Sequence, residues 1–333
     1  MTEGLNPEID ELDVDLLIIG AGPVGLYAAY YAGFRGLTTA LMDSLTEPGG
    51  QVTAMYPEKL IYDVAGFPAI KGQDLVTNLV AQTAPFNPCY LLGHRAQKLT
   101  HNADETLTVQ SHRTTEVTCK AIIITGGMGT FTPRPLPNAA EFEGKGLQYF
   151  VPELTKLAGL DVLIVGGGDS AFDWAMALEP LAHNVTLIHR RDSFRAHEHS
   201  VQKVLASSVT VLTSTEVVHL RGDGRVEEAE VINKKTGEHT ILKVGAVVAA
   251  LGFTADLGPL KEWGLELHKR QIAVDTTMAT NLPRVFAAGD ITDYAGKVKL
   301  ISVGFGEGAT AVNNAATVIN PALQLFPGHS SNL

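Results

Sequence analysis

Two glycine-rich clusters in this chain each lead to charged residues, and the two charges are opposite. Gly20, Gly22 and Gly25 lead to Asp43, whereas Gly166, Gly167 and Gly168 lead to Arg190 and Arg191. Glycines let a backbone approach a pyrophosphate held at a helix N-terminus, where free amides and the helix dipole attract it. A carboxylate about 20 positions later accepts hydrogen bonds from a ribose 2′-OH but repels a 2′-phosphate, which arginines bind instead. The first cluster therefore suits FAD and the second NADPH. Arg190, Arg191 and Arg195 could also form an ordinary solvated basic turn, but their place after a strand end favours a phosphate clamp.

The elements needed to hold such loops can be read around them. DLLIIG, from Asp15 to Gly20, is a buried-strand pattern, and Leu26 to Ala32 follows with small residues at helical spacing. TTALMD, from Thr38 to Asp43, supplies a second strand that ends at the acid. The same order restarts at Asp161: DVLIVGGG, a helix expected from about Ser170 to Leu181, then the strand Asn184 to His189. Ala171 takes the third glycine position and is small enough for close helix–strand packing. Leu107 to Gln110 and Cys119 to Thr125 read as strands. Val209 to Val248 reads as short strands with turns at Asp223-Gly224 and Thr236-Gly237. VFAAGD ends in Asp290, which is either a helix cap or a carboxylate for the ribityl hydroxyls of a flavin, and a helix is expected over Ser302 to Ala316.

The fold class expected is α/β, with two Rossmann-like dinucleotide-binding domains and the NADPH domain inserted into the FAD domain. The glycine- and proline-rich stretch from Gly126 to Pro137 marks one hinge, and Gly252 marks the return. The boundaries expected are 1–130 and 253–333 for the FAD-binding domain and 131–252 for the NADPH-binding domain.

Composition narrows the partners. The chain has 333 residues and a formal net charge of −11, which offers no basic field for nucleic acid. No apolar run approaches the roughly 20 residues that span a bilayer. The acidic start, MTEGLNPEID, lacks a secretory pattern, so a cytoplasmic protein is expected. Cys89 and Cys119 form neither a Cys-x-x-Cys pair nor a metal-ligand spacing, and Cys119 reads as a small core residue. No metal site is expected.

Together these segments resemble the ferredoxin–NADP reductases of the thioredoxin reductase-like type. The resemblance rests on GAGPVGLYAAYYA from Gly20, PGGQVTAMYPEKLIYDVAGFP from Pro48, YFVPEL from Tyr149, VGGGDSAFDWA from Val165, HRRDSFRAHEHSV from His189, FAAGDI from Phe286 and GFGEGATAVNNA from Gly304. Thioredoxin reductases carry a Cys-x-x-Cys before the second glycine cluster; this chain has YFVPELTKLAG there, so the dithiol relay is absent.

The resemblance implies that Asp43, Gln51, Ala96, Phe131 and Asp290 contact FAD. It implies that Tyr56 stacks on one flavin face and His329 on the other, with Ser330 and Ser331 nearby, the tail capping the flavin across a homodimer. For NADPH it implies Gly166, Gly167, Gly168, Asp169, Ser170, His189, Arg190, Arg191 and Arg195. From the residues alone, Tyr56 could be an ordinary half-buried aromatic and His329 an unstructured tail residue. The activity implied is electron transfer between NADPH and ferredoxin or flavodoxin through FAD, as a hydride to flavin N5 and then two one-electron steps. No side-chain acid or base is required. Reduction of a small acceptor such as a quinone, or a non-catalytic FAD/NADPH redox sensor, remains open. Lys59, Lys71, Arg95, Lys98 and Arg113 are candidate contacts for an acidic partner. Gly308-Ala309 replaces a frequent Ala-Pro and puts helix-start geometry in doubt.

Overall fold

The computed structural model describes residues 9–328. They divide into two compact units, one built from the chain up to Phe131 together with the chain from Ala255 onward, the other from Thr132–Thr254. Among the described residues no helix is long and apolar enough to cross a membrane.

The first unit is built on the strand Glu11–Ile19, whose second half is apolar at every position. A strand sends alternate side chains to opposite faces. Leu16 and Ile18 accordingly join one core and Leu17 and Ile19 the other. Thr39–Asp43 and then Cys89–Leu92 pair in parallel on one side, and Glu116–Ile124 pairs in parallel on the other. That last strand is shared. Its first half pairs antiparallel with Leu107–Ser111, which continues to Ala96–His101, and its last three residues pair in parallel with Val285–Ala287. The helices Pro23–Phe34 and Ile301–Ile319 pack on one face through Ala28, Ala32, Ala311 and Ala315, all essentially buried. Pro23 opens its helix without cost, since the first-turn N–H groups have no helical partner. Buried Cys119 lies in the second core, as its apolar surroundings led us to expect, and burial pushes its thiol up to about 12.

The second unit repeats the plan. Five parallel strands run in the order Leu147–Gln148, Ala246–Ala249, Asp161–Val165, Asn184–Ile188, Thr210–Leu212. A three-stranded antiparallel sheet follows, Thr215–Arg221, Glu228–Asn233 and His239–Lys243, with left-handed glycines in the turns at Gly224 and Gly237. The helix after the second glycine cluster is Asp169–Leu178. It stops short of the expected Leu181 because Pro180 has no N–H with which to continue it.

Candidate nucleotide-binding sites

In the first unit a cavity opens at the C-terminal ends of the parallel strands. It is lined by Gly20, Gly22, Asp43, Gln51, Tyr56, Ala96 and Asp290, residues far apart in sequence. The three glycines of its loop have separate duties. Gly20 adopts φ +114°, a left-handed value that disfavours side chains. A Cβ on Gly25 would lie 1.9 Å from the Gly20 carbonyl oxygen, so this residue lets the helix close on the strand. A Cβ on Gly22 would meet nothing within 4 Å. Gly22 borders the cavity, and the space beside it is what a pyrophosphate approaching the helix N-terminus requires.

Asp43 ends its strand with both carboxylate oxygens occupied by backbone donors. Oδ2 accepts from Ala21 N–H at 2.6 Å and Oδ1 from Leu45 N–H at 2.8 Å. Each oxygen keeps a further lone pair for a ribose hydroxyl. Burial nonetheless raises its carboxyl above the usual range. Tyr56 follows the short helix Gln51–Met55, half-buried, its hydroxyl pushed up to about 12 by burial and then by Asp290 and Asp63. Phe131 lies in the strand Thr130–Pro133. His329, Ser330 and Ser331 lie outside the described residues.

Asp290 faces the cavity from the turn after Val285–Ala287, its carboxyl raised by burial against the pull of Lys297 and Lys299. Beneath that turn is a group that the motifs did not reveal. Buried Glu307 accepts from Gly289 N–H at 2.7 Å, Tyr294 Oη at 2.6 Å and Lys297 Nζ at 2.5 Å. One signal was available: Glu307 is the only charged residue in the helix Ile301–Ile319. Gly308 lies within this helix, away from its start, so the expected doubt about helix-start geometry is misplaced. A Cβ there would make ordinary contact with Val24. Buried His94 also lines the cavity, with Nδ1 3.3 Å from Ser111 Oγ. Of the candidate basic contacts, Arg95 borders the cavity, Lys59 Nζ stands 5.9 Å from the Tyr56 ring centre, and Lys71 pairs with Glu58.

In the second unit the same division recurs. A Cβ on Gly166 would lie 2.5 Å from the Ala250 carbonyl oxygen and one on Gly167 2.4 Å from the His189 ring, whereas Gly168 faces open space. The glycine loop and the arginine segment are stitched together. Arg195 N–H donates to the Gly167 carbonyl and His197 N–H to Asp169 Oδ1, both at 2.8 Å. Asp169 opens the helix and Ser170 follows it. The side chains of Arg190, Arg191 and Arg195 are exposed and, among the described residues, none makes an ion pair or hydrogen bond. Burial, joined by these three charges and opposed by a hydrogen bond with Ser193, holds His189 below the usual histidine range. Its buried Nε2 has no hydrogen-bond partner among the described residues. No cluster of His, Cys, Asp and Glu among the described residues could hold a metal.

The comparisons with known proteins agree with this geometry. The model of the pyridine nucleotide-disulphide oxidoreductase family matches residues 14–308. A ferredoxin–NADP reductase of Salinispora tropica is 63% identical over 320 residues, covering 96% of this chain and 99% of that protein. One from Thermus thermophilus is 51% identical, covering 95% of this chain and 96% of that protein. Among solved structures, the thioredoxin reductase of T. acidophilum superposes with a TM-score of 0.79 at 26% identity, covering 92% of this chain and 98% of that one. With two dinucleotide-type loops, no Cys-x-x-Cys and relatives matched along nearly their whole length, the chain belongs to the pyridine nucleotide-disulphide oxidoreductase family, among its ferredoxin–NADP reductases.

Proposed function

We propose that this protein moves electrons between NADPH and ferredoxin or flavodoxin, with FAD held in the first unit and NADPH in the second. The observation that carries the reading is the opposition between the two loops. At one, a half-buried carboxylate already organised by two backbone donors awaits hydroxyls; at the other, a glycine loop is stitched to a segment whose three exposed guanidinium groups have no acidic partner among the described residues. A dinucleotide with a free 2′-OH suits the first and one with a 2′-phosphate suits the second. FAD, when bound, supplies the conversion of a hydride into two single-electron transfers.

The protein's own residues bind and orient. Gly20, Gly22 and Gly25 open the pyrophosphate path, Asp43 takes the ribose, and Ala96 borders the adenine end. Gln51, Phe131 and Asp290 hold the rest of FAD, while Tyr56 covers one flavin face. His329, Ser330 and Ser331 belong in this reading to a tail that covers the other face in a homodimer. Gly166, Gly167, Gly168, Asp169 and Ser170 receive the NADPH pyrophosphate, with Arg190, Arg191 and Arg195 on its 2′-phosphate and His189 beneath the loop. No side chain has to move a proton. With no Cys-x-x-Cys, electrons leave for an outside carrier without a dithiol step. A cytoplasmic location fits this chemistry.

The test is anaerobic NADPH oxidation by the purified yellow protein. Ferredoxin should stimulate turnover strongly and lose that effect as salt screens the encounter, while NADH and thioredoxin should be poor substitutes. Turnover indifferent to ferredoxin but supported by a quinone would replace the reading with that of a small-molecule reductase.

A further inference from the structure

The pair formed by Lys297 and Glu307 sits in the first unit with both side chains only 5% exposed. Burying two charges is costly, and their mutual attraction need not repay it, so such a pair invites the question of what it positions. Here it grips the two edges of one residue. Glu307 Oε2 accepts the Gly289 N–H at 2.7 Å, while Lys297 Nζ donates to the Gly289 carbonyl at 2.9 Å. Fully buried Thr292 donates to the same carbonyl through its hydroxyl at 2.8 Å and its N–H at 3.1 Å. Gly289 stands at φ +84°, a left-handed conformation that glycine adopts readily, and a Cβ there would lie 3.3 Å from Val24 Cγ2.

The next residue is Asp290. Its carboxylate borders the cavity and makes no hydrogen bond among the described residues, although burial already raises its pKa. Lys297 and Lys299 act on it in the opposite direction, favouring the ionised acceptor, while Glu307 adds to the effect of burial.

Building on the assignment of this cavity to FAD, we infer that Lys297 and Glu307 are positioning residues for the ribityl chain. By fixing both peptide groups of Gly289 they set the direction in which the Asp290 carboxylate meets the ribityl hydroxyls. Tyr294, whose hydroxyl donates to Glu307 at 2.6 Å, completes the support.

A double-mutant cycle on the apoprotein tests this, with FAD affinity read from quenching of flavin fluorescence. Lys297→Met should weaken FAD about tenfold when Asp290 is present and less than twofold in an Asp290→Ala background, because the interaction being positioned is gone. ADP shares the adenine half but has no ribityl chain, and its competition with FAD should report unchanged ADP affinity. Glu307→Gln keeps the shape and the acceptor for Gly289 but leaves Lys297 without its counter-ion; run through the same cycle, it provides the test if Lys297→Met does not fold. Equal losses in both backgrounds, no loss in either, or a parallel loss of ADP affinity would overturn the inference. A wild-type apoprotein that fails to bind FAD would overturn the cavity assignment itself.

Discussion

The carboxylate of Asp43 accepts a 2.6 Å hydrogen bond from the backbone N–H of Ala21, tying the end of one strand to the glycine loop 22 residues earlier. The acid thus shapes the glycine loop, and each of its oxygens keeps a further lone pair for the ribose of the proposed FAD. Asp43→Ala leaves two donors, Ala21 N–H and Leu45 N–H, without their acceptor, at a cost of about 1–3 kcal/mol for each that stays buried. FAD affinity of the apoprotein should fall at least 10-fold, about 1.4 kcal/mol. Asp43→Asn retains one acceptor oxygen and should lose less. Titration with FAD checks both, and affinities equal to wild type would remove Asp43 from the site.

The glycines of one loop should fail in different ways. Gly22→Ala places a methyl in open space at φ −71° and should leave the melting temperature unchanged while weakening FAD. Gly25→Ala drives a methyl into the Gly20 carbonyl and should destabilise the fold by about 1–3 kcal/mol or more, as overpacking does. Thermal unfolding of the two apoproteins beside their FAD affinities separates the cases. Equal stability of both variants would contradict the division of labour.

Arg190→Ala should reduce the use of NADPH about tenfold or more and leave NADH nearly unchanged, since charge-assisted hydrogen bonds contribute about 1.5–3 kcal/mol. The measurement is kcat/KM for both nucleotides. A matching loss with NADH would mean that the arginine does not read the 2′-phosphate.

Stability should also depend on pH through His189. Its folded-state pKa lies below the unfolded value of about 6.5. In the range between the two the unfolded chain binds more protons, so stability rises with pH there. The contribution is complete above the unfolded value and is lost as pH falls through the folded one. The melting temperature of the wild type should therefore drop more steeply from pH 7 to pH 5.5 than that of His189→Gln. Parallel slopes would show that His189 does not govern this range.

The nucleotide loops were legible because their chemistry is local. Within about 25 residues, a strand, a glycine turn, a helix and a charged residue stand in fixed order. The hydrogen bond from Ala21 N–H to Asp43 and the exposed Arg190 just past its strand both fall within that span. The support beneath Asp290 was not legible: Tyr294, Lys297 and Glu307 converge only after an irregular stretch and a helix have packed, and none stands at a spacing that a motif describes. A lone glutamate in a helix with no other charged residue was the only trace. The helices Gly72–Thr83 and Glu198–Leu205 also escaped the sequence reading. Glu198–Leu205 is short, and most of its residues are polar.

The last three residues of Glu116–Ile124 pair with Val285–Ala287, partners separated by about 160 residues that include the whole second unit. Closing a loop of that length instead of a crossover of about 15 residues adds only about 2 kcal/mol of chain entropy. The larger effect is temporal. During synthesis, Ile122, Ile123 and Ile124 emerge long before their neighbour, and one edge of that hydrophobic strand has no native partner until the second unit has been made. An edge of this kind is a template for pairing with another nascent chain. Folding of the intervening unit, which is continuous in sequence from Thr132 to Thr254, shortens the tether just when the closing strand arrives. The order of domains along the chain therefore sets the order of assembly.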